Sequence, residues 1–254
     1  MLIVLPPSET KSVGGDGAPL NFADLSFPLL NSTRESIAHD LAALDDTQAM
    51  AALGISEKLR VEAALNRALF DSPTQPAILR YTGVLYDALD VPSLPPSAWR
   101  NLAIGSALFG VVMAADPIPH YRLSGTVKLP PSNDTLKKRW GSQITDALAS
   151  YQHKAGGPIV DLRSGTYQQL GKLPGAITVR VESEQTDGSR KVVSHFNKHY
   201  KGLVARELAT CGSTPRAIND IAGILANAGM CVELPGDSAR GSKITELTLV
   251  VSQH

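Results

Sequence analysis

Lys191 to Cys211 reads KVVSHFNKHYKGLVARELATC. An alternating apolar run, Val192, Val193 and Phe196, gives way within a few residues to Lys198, Lys201 and Arg206, with Gly202 among them. The run predicts a strand and the residues after it a helix. Three cations where a buried strand passes into a helix are placed to meet an anion, since side-chain charge and free backbone N–H groups both favour one there. The same cations would also suit a solvated helix face.

Upstream, Ile177 to Val181 and Lys191 to Phe196 predict two strands joined by an Asp187-Gly188 turn, an antiparallel hairpin. Pro158 to Leu162 (PIVDL) predicts another strand, closed by Arg163-Ser164-Gly165-Thr166-Tyr167, so hydroxyls again sit at a strand end. Downstream, Leu203 to Leu208 is helical. Thr214-Pro215 starts a helix through Ile218, Ile221, Ile224 and Leu225, which Gly229 stops, and Cys231 to Leu234 and Ile244 to Ser252 close the chain as strands. Leu136 to Tyr151 reads as one amphipathic helix with Trp140, Ile144, Ala147 and Leu148 inward.

At the other end, Leu2 to Leu5 is a short apolar run that suits a strand buried on both faces, stopped by Pro6-Pro7. Ser8, Glu9, Thr10 and Lys11 follow, and open sheets place ligand groups at such strand ends. Val13 to Pro19 lacks the ending of a phosphate loop and reads as a flexible connection. A helix capped at Ser32 or Thr33 carries Ile37, Leu41 and Leu44. A second begins near Asp46, and after Leu53-Gly54-Ile55-Ser56-Glu57-Lys58 a third carries Val61, Ala64, Leu65 and Leu69. Helix, tight glycine turn and helix outline a helix-hairpin-helix, in which Gly54, Ser56 and Lys58 would face a DNA phosphate. A plain structural corner has the same outline.

Between these ends, Pro76 to Asp90 brings Tyr81 and Tyr86, and Leu102 to Met113 is core, either a strand or a buried helix start. Arg122 leaves the turn at Asp116 to Pro119, and if covered it needs a carboxylate or phosphate partner.

With 254 residues, one globular unit is expected. Lys plus Arg and Asp plus Glu number 24 each, so no global field recruits nucleic acid or an anionic membrane, and an anion site must be a local concentration of charge. Cys211 and Cys231 form neither a disulfide framework nor a zinc site. The five-residue apolar run at the N-terminus is too short for a signal peptide or a membrane anchor, so a cytoplasmic protein without a membrane partner is expected. His195 and His199 stand four apart, yet His195 falls on the predicted strand. No metal site and no cofactor are expected.

Taken together, these segments resemble the YaaA family of bacterial peroxide-stress proteins over nearly the whole chain. LIVLPPSETK resembles that family's first strand, its Ser-Pro-Ala-Lys-Thr-like loop and its lysine, with Pro7 and Glu9 where the pattern has Ser and Ala. ISEKLR at 55 to 60, Ala77 to Tyr86, Ser106 to Gly110, Pro119 to Leu123, Trp140-Gly141 and Ser164 with Tyr167 match further family segments, and Lys198 to Arg206 resembles its basic stretch. The resemblance implies a single mixed α/β domain, with a central mixed sheet flanked by helices and a basic cleft. It implies binding of double-stranded DNA through the helix-hairpin-helix-like element, and a role in limiting unincorporated iron and oxidative damage under peroxide.

Two functions stay open. In the first, Gly54, Ser56 and Lys58 hold a phosphate strand of duplex DNA, without sequence preference, while Lys11, Arg122, Lys198, Lys201 and Arg206 line the cleft. In the second, the same cleft, with Ser8, Tyr86, Ser164 and Tyr167, serves an enzyme for a small phosphorylated or nucleotide-like substrate. No paired carboxylates, nucleophile-base couple or metal triad names a reaction.

Overall fold

The structure, a computed structural model, describes residues 1–193, 196–235 and 245–252. Its strands are β1 (Leu2–Leu5), β2 (Gly17–Pro19), β3 (Pro73–Pro76), β4 (Leu102–Ser106), β5 (Gly110–Met113), β6 (Pro117–Ile118), β7 (Ile159–Asp161), β8 (Ile177–Glu184), β9 (Arg190–Val192), β10 (Cys231–Glu233) and β11 (Glu246–Ser252). Its α-helices are α1 (Asn31–Ala42), α2 (Asp46–Leu53), α3 (Arg60–Arg67), α4 (Ala77–Arg80), α5 (Val84–Leu89), α6 (Leu136–Trp140), α7 (Gln143–Ala155), α8 (Gly165–Gln169), α9 (Asn197–Thr210) and α10 (Ile218–Asn227).

The apolar runs at β1, β4 and β7 are buried along their whole length, as parallel strands covered on both faces must be. They form the middle of a mixed sheet in the order β10-β11-β8-β7-β1-β4-β5. β1 runs parallel to β4 and β7, β7 to β8 and β8 to β11, while β5 and β10 are antiparallel edges. β8 alternates buried and open residues. One edge of β8 is shared: β7 pairs only with its start, Asp161 opposite Thr178, and β9 pairs with its end, Glu182 opposite Val192. β7 therefore stops where a cleft can open beside β8. The helices flank this sheet as one mixed α/β domain, α9 lying against β1, β8 and α5.

Several elements differ from expectation. The segment Leu136 to Tyr151 is two helices, because Gly141 takes a φ of 53° and its N–H returns to the Lys137 carbonyl. Leu102 to Met113 is the hairpin of β4 and β5, and Val13 to Pro19 is not merely connection, since β2 pairs with β3, which pairs with β6. The first helix starts at Asn31, so neither Ser32 nor Thr33 caps it, and the Thr33 hydroxyl donates to Gln143 Oε1 at 2.9 Å. The last helix starts at Ile218, where Asp220 accepts from the N–H groups of Arg216 and Ala217. His195 and Ile244 lie outside the described residues.

Candidate functional site

The two crossovers from β1 and β7 run in opposite directions along the sheet, and open α/β sheets bind ligands where this happens. A cleft of about 700 Å³ lies there. Pro6, Pro7 and Glu9, after β1, form one side, and Asp161, the last residue of β7, to Gln168 form the floor. Ser124 to Thr126 close one end, while Thr178, Glu246 and the α9 residues Asn197, Lys198 and Lys201 complete the wall.

The floor is fixed by a buried ion pair. Arg163 Nε donates to Asp161 Oδ1 at 2.9 Å and Nη2 to Oδ2 at 2.8 Å, and Nη2 also reaches the Gly171 carbonyl at 2.8 Å. Both partners are buried, so the fork holds the loop after β7 in one shape. The Arg163 stem lies on Gly105 of β4, where a Cβ would come within 2.7 Å of Cδ.

On the α9 wall, Lys201 Nζ donates to the Leu162 carbonyl at 3.2 Å. Burial lowers its pKa, against the opposing pull of Asp161 and Glu246. Lys198, one turn earlier, is exposed and makes no ion pair or hydrogen bond among the described residues. Ser164 is exposed on the floor, and Tyr167 is held neutral by burial first and the nearby Glu9 second, so its hydroxyl stays a donor.

A side pocket of about 250 Å³ adjoins the cleft and shares Pro6, Pro7, Glu9 and Lys198 with it. Ser8, Thr10, Thr82, Gly83 and Tyr86 line it. The Tyr86 hydroxyl donates to the Pro6 carbonyl at 2.9 Å and so ties the loop after β1 to α5.

The expected cluster is thus only partly assembled. Lys198, Lys201, Ser164 and Tyr167 line the cleft, and Ser8 and Tyr86 line its side pocket. Lys11 and Arg122 stand behind the loop, not on the cleft wall. Arg122 Nη2 meets Glu9 Oε2 at 3.2 Å, and Asn66 clamps the Arg122 backbone at 2.7 and 2.9 Å. Lys11 Nζ donates to the Ser8 carbonyl at 3.1 Å. Arg206 is turned away: its guanidinium caps α5 through the carbonyls of Leu89 and Asp90 at 2.9 and 3.2 Å, where the helix dipole favours a cation. Gly54, Ser56 and Lys58 lie exposed at the α2–α3 corner and do not line the cleft. Gly54 is left-handed there, with a φ of 63°, and Arg60 and Arg67 nearby pair with Glu57 and Asp46.

The cleft is not uniformly basic. Three carboxylates, Glu9, Asp161 and Glu246, face three cations, Arg163, Lys198 and Lys201. Spacing arguments missed Asp161, Arg163, Asn197 and Glu246. A carboxylate inside the buried run PIVDL was the available signal, since such a group requires a partner. No group of His, Cys, Asp and Glu able to hold a metal occurs among the described residues, and both cysteines are free thiols. No helix is long and apolar enough to cross a membrane among those residues.

The family model for the peroxide stress protein YaaA matches residues 1–226. The chain belongs to this family. YaaA relatives of similar length include a UPF0246 protein of Corynebacterium efficiens, 59% identical over 254 residues that cover 99% of this chain and 100% of that one. A UPF0246 protein of Streptomyces coelicolor is 38% identical, covering 100% of this chain and 99% of its own. An uncharacterized protein of Campylobacter jejuni is 30% identical over 80% of this chain and 82% of its own. In this YaaA-family chain the cleft thus lies wholly within the matched segment, except for Glu246.

Proposed function

We propose that this chain serves the response to peroxide by binding a small phosphorylated or nucleotide-like molecule in the cleft between the ends of β1 and β7. The observation that carries this reading is the α9 wall, where Lys198, unpaired among the described residues, and partly dehydrated Lys201 face a concavity of about 700 Å³. That volume matches the size of small-ligand sites. Ser164, Thr166 and Tyr167 add hydroxyls for orientation, and the carboxylates suit a ligand that carries donors as well as an anion. In this reading the limiting of unincorporated iron and of oxidative damage follows from what the cleft binds.

Titration calorimetry with inorganic pyrophosphate and adenosine monophosphate tests it. The wild type binds, and the double variant Lys198→Met/Lys201→Met, with an unchanged melting temperature, loses about tenfold or more in affinity. Absence of binding to every phosphorylated probe would overturn the reading.

Sequence-indifferent duplex binding is the second reading. The corner favours it: Gly54 has open space where a Cβ would stand, and Lys58 is exposed beside it, as close approach of a phosphate strand needs.

A further inference from the structure

We infer that the ligand lies in one orientation, with its phosphate in the side pocket against Ser8, Thr10, Thr82 and Lys198, and a hydrogen-bond-donating end beside Asn197 and Glu246 in the main cleft. This rests on the ligand reading above and adds its polarity. The ligand class is then a phosphate ester whose far end carries amino or amide N–H groups, as a nucleoside monophosphate does.

The side pocket has the chemistry of a phosphate end. Ser8 Oγ and Thr10 Oγ1 are 3.1 Å apart, and Thr82 Oγ1 donates to Thr10 Oγ1 at 3.1 Å. Three hydroxyls share two hydrogen bonds, so one O–H proton is left to donate outward. Gly83 keeps these oxygens uncovered: a Cβ there would rest on Thr10 Oγ1 and Ser8 Oγ at 3.4 and 3.5 Å. Glu9 is the carboxylate on the rim, and its charge is turned toward Arg122. Lys198 lines both cavities and its ammonium has no partner among the described residues.

The main cleft has the opposite need. Asn197 lines it, with its Oδ1 buried and without a hydrogen-bond donor among the described residues, and Glu246 adds carboxylate oxygens on the same wall. A ligand N–H meets the Glu246 carboxylate directly, and Asn197 accepts from it once its side chain turns Oδ1 into the cleft, which relieves the cost of an unpaired acceptor. A second anionic group would instead meet Glu246 and Asp161. The two ends of the site therefore select a ligand with acceptors at one end and donors at the other.

Calorimetry with inorganic phosphate, ribose 5-phosphate and adenosine monophosphate on five proteins, the wild type, Thr82→Val, Ser8→Ala, Glu246→Ala and Lys201→Met, decides this. The wild type should bind adenosine monophosphate about tenfold more tightly than ribose 5-phosphate. Thr82→Val, which keeps shape and removes the hydroxyl, should weaken all three ligands alike by about fivefold, and Ser8→Ala should do the same. Glu246→Ala should leave inorganic phosphate unweakened and erase the advantage of adenosine monophosphate. If Thr82→Val and Ser8→Ala leave phosphate affinity unchanged while Lys201→Met abolishes it, the phosphate sits in the main cleft and the orientation is overturned, with the ligand reading intact. If no phosphorylated probe binds the wild type, both fall.

Discussion

Lys11 shows how the loop after β1 uses a cation for structure. Its ammonium lies 4.4 Å from the Tyr121 ring centroid and 5.3 Å from that of Tyr81, whose hydroxyls share a hydrogen bond of 2.7 Å. Burial is the main influence on its pKa and lowers it to about 8 from 10.5, with Glu9 opposing the shift. A native pKa below the unfolded one means that, between those values, the unfolded chain binds more protons. Stability therefore rises with pH across that window, whereas below about pH 8 both states are protonated and the dehydration cost is constant. Urea midpoints of the wild type and of Lys11→Met, from pH 7 to 10.5, should show the wild type gaining on the variant above pH 8. Parallel curves would contradict this. In the sequence Lys11 reads as a ligand-binding cation because burial by two tyrosines 70 and 110 residues away is invisible at its own position. The need of Arg122 for a partner was legible, and Glu9 meets it.

Among the elements, α9 depends on one glycine. A Cβ at Gly202 would stand 2.3 Å from the Leu85 carbonyl oxygen and 2.7 Å from Ala88 Cβ, so α9 and α5 touch backbone to backbone. Gly202→Ala must part the helices and should cost about 2 kcal/mol, as overpacking does. Because α9 carries Lys198 and Lys201, ligand affinity should fall with stability. Gly223 on α10 is the control: it is exposed, with nothing within 4 Å of a would-be Cβ, so Gly223→Ala should gain up to about 1 kcal/mol through helix propensity. Denaturation of both variants checks the pair, and equal signs would refute the packing argument. The strand expected over Lys191 to Phe196 is β9, exposed and ending at Val192, whereas Leu2–Leu5 and the apolar face of α7 were legible because their patterns are local. The sheet of β2, β3 and β6 was not, since its proline-bearing strands meet only through partners far apart in sequence. Nor was the purpose of Gly202, which stands among cations but serves the opposite face of its helix.

At the scale of the molecule, electrostatics separates the two functional readings. The chain carries no net formal charge, and the cleft mixes signs, so long-range attraction to a polyanion is weak. If a duplex uses the corner and the α9 wall, the cations there without a carboxylate partner among the described residues are Lys58, Lys198 and Lys201, because Arg60, Arg67, Arg122 and Arg206 already have one. Each neutralised phosphate contributes about −0.9 to the slope of log affinity against log salt, so the slope should not be steeper than about −3. Glu9 offers an independent lever. Its side chain is 56% exposed, so losing the pair with Arg122 should change stability by less than about 1 kcal/mol. Glu9→Ala nevertheless unmasks the Arg122 guanidinium behind the loop after β1, beside the cleft. Duplex binding by Glu9→Ala, measured by fluorescence anisotropy at several salt concentrations, should be tighter than in the wild type and steeper by about one phosphate. A slope unchanged by Glu9→Ala, with adenosine monophosphate binding enhanced, would place the anion in the cleft as a small molecule and not as a nucleic-acid backbone.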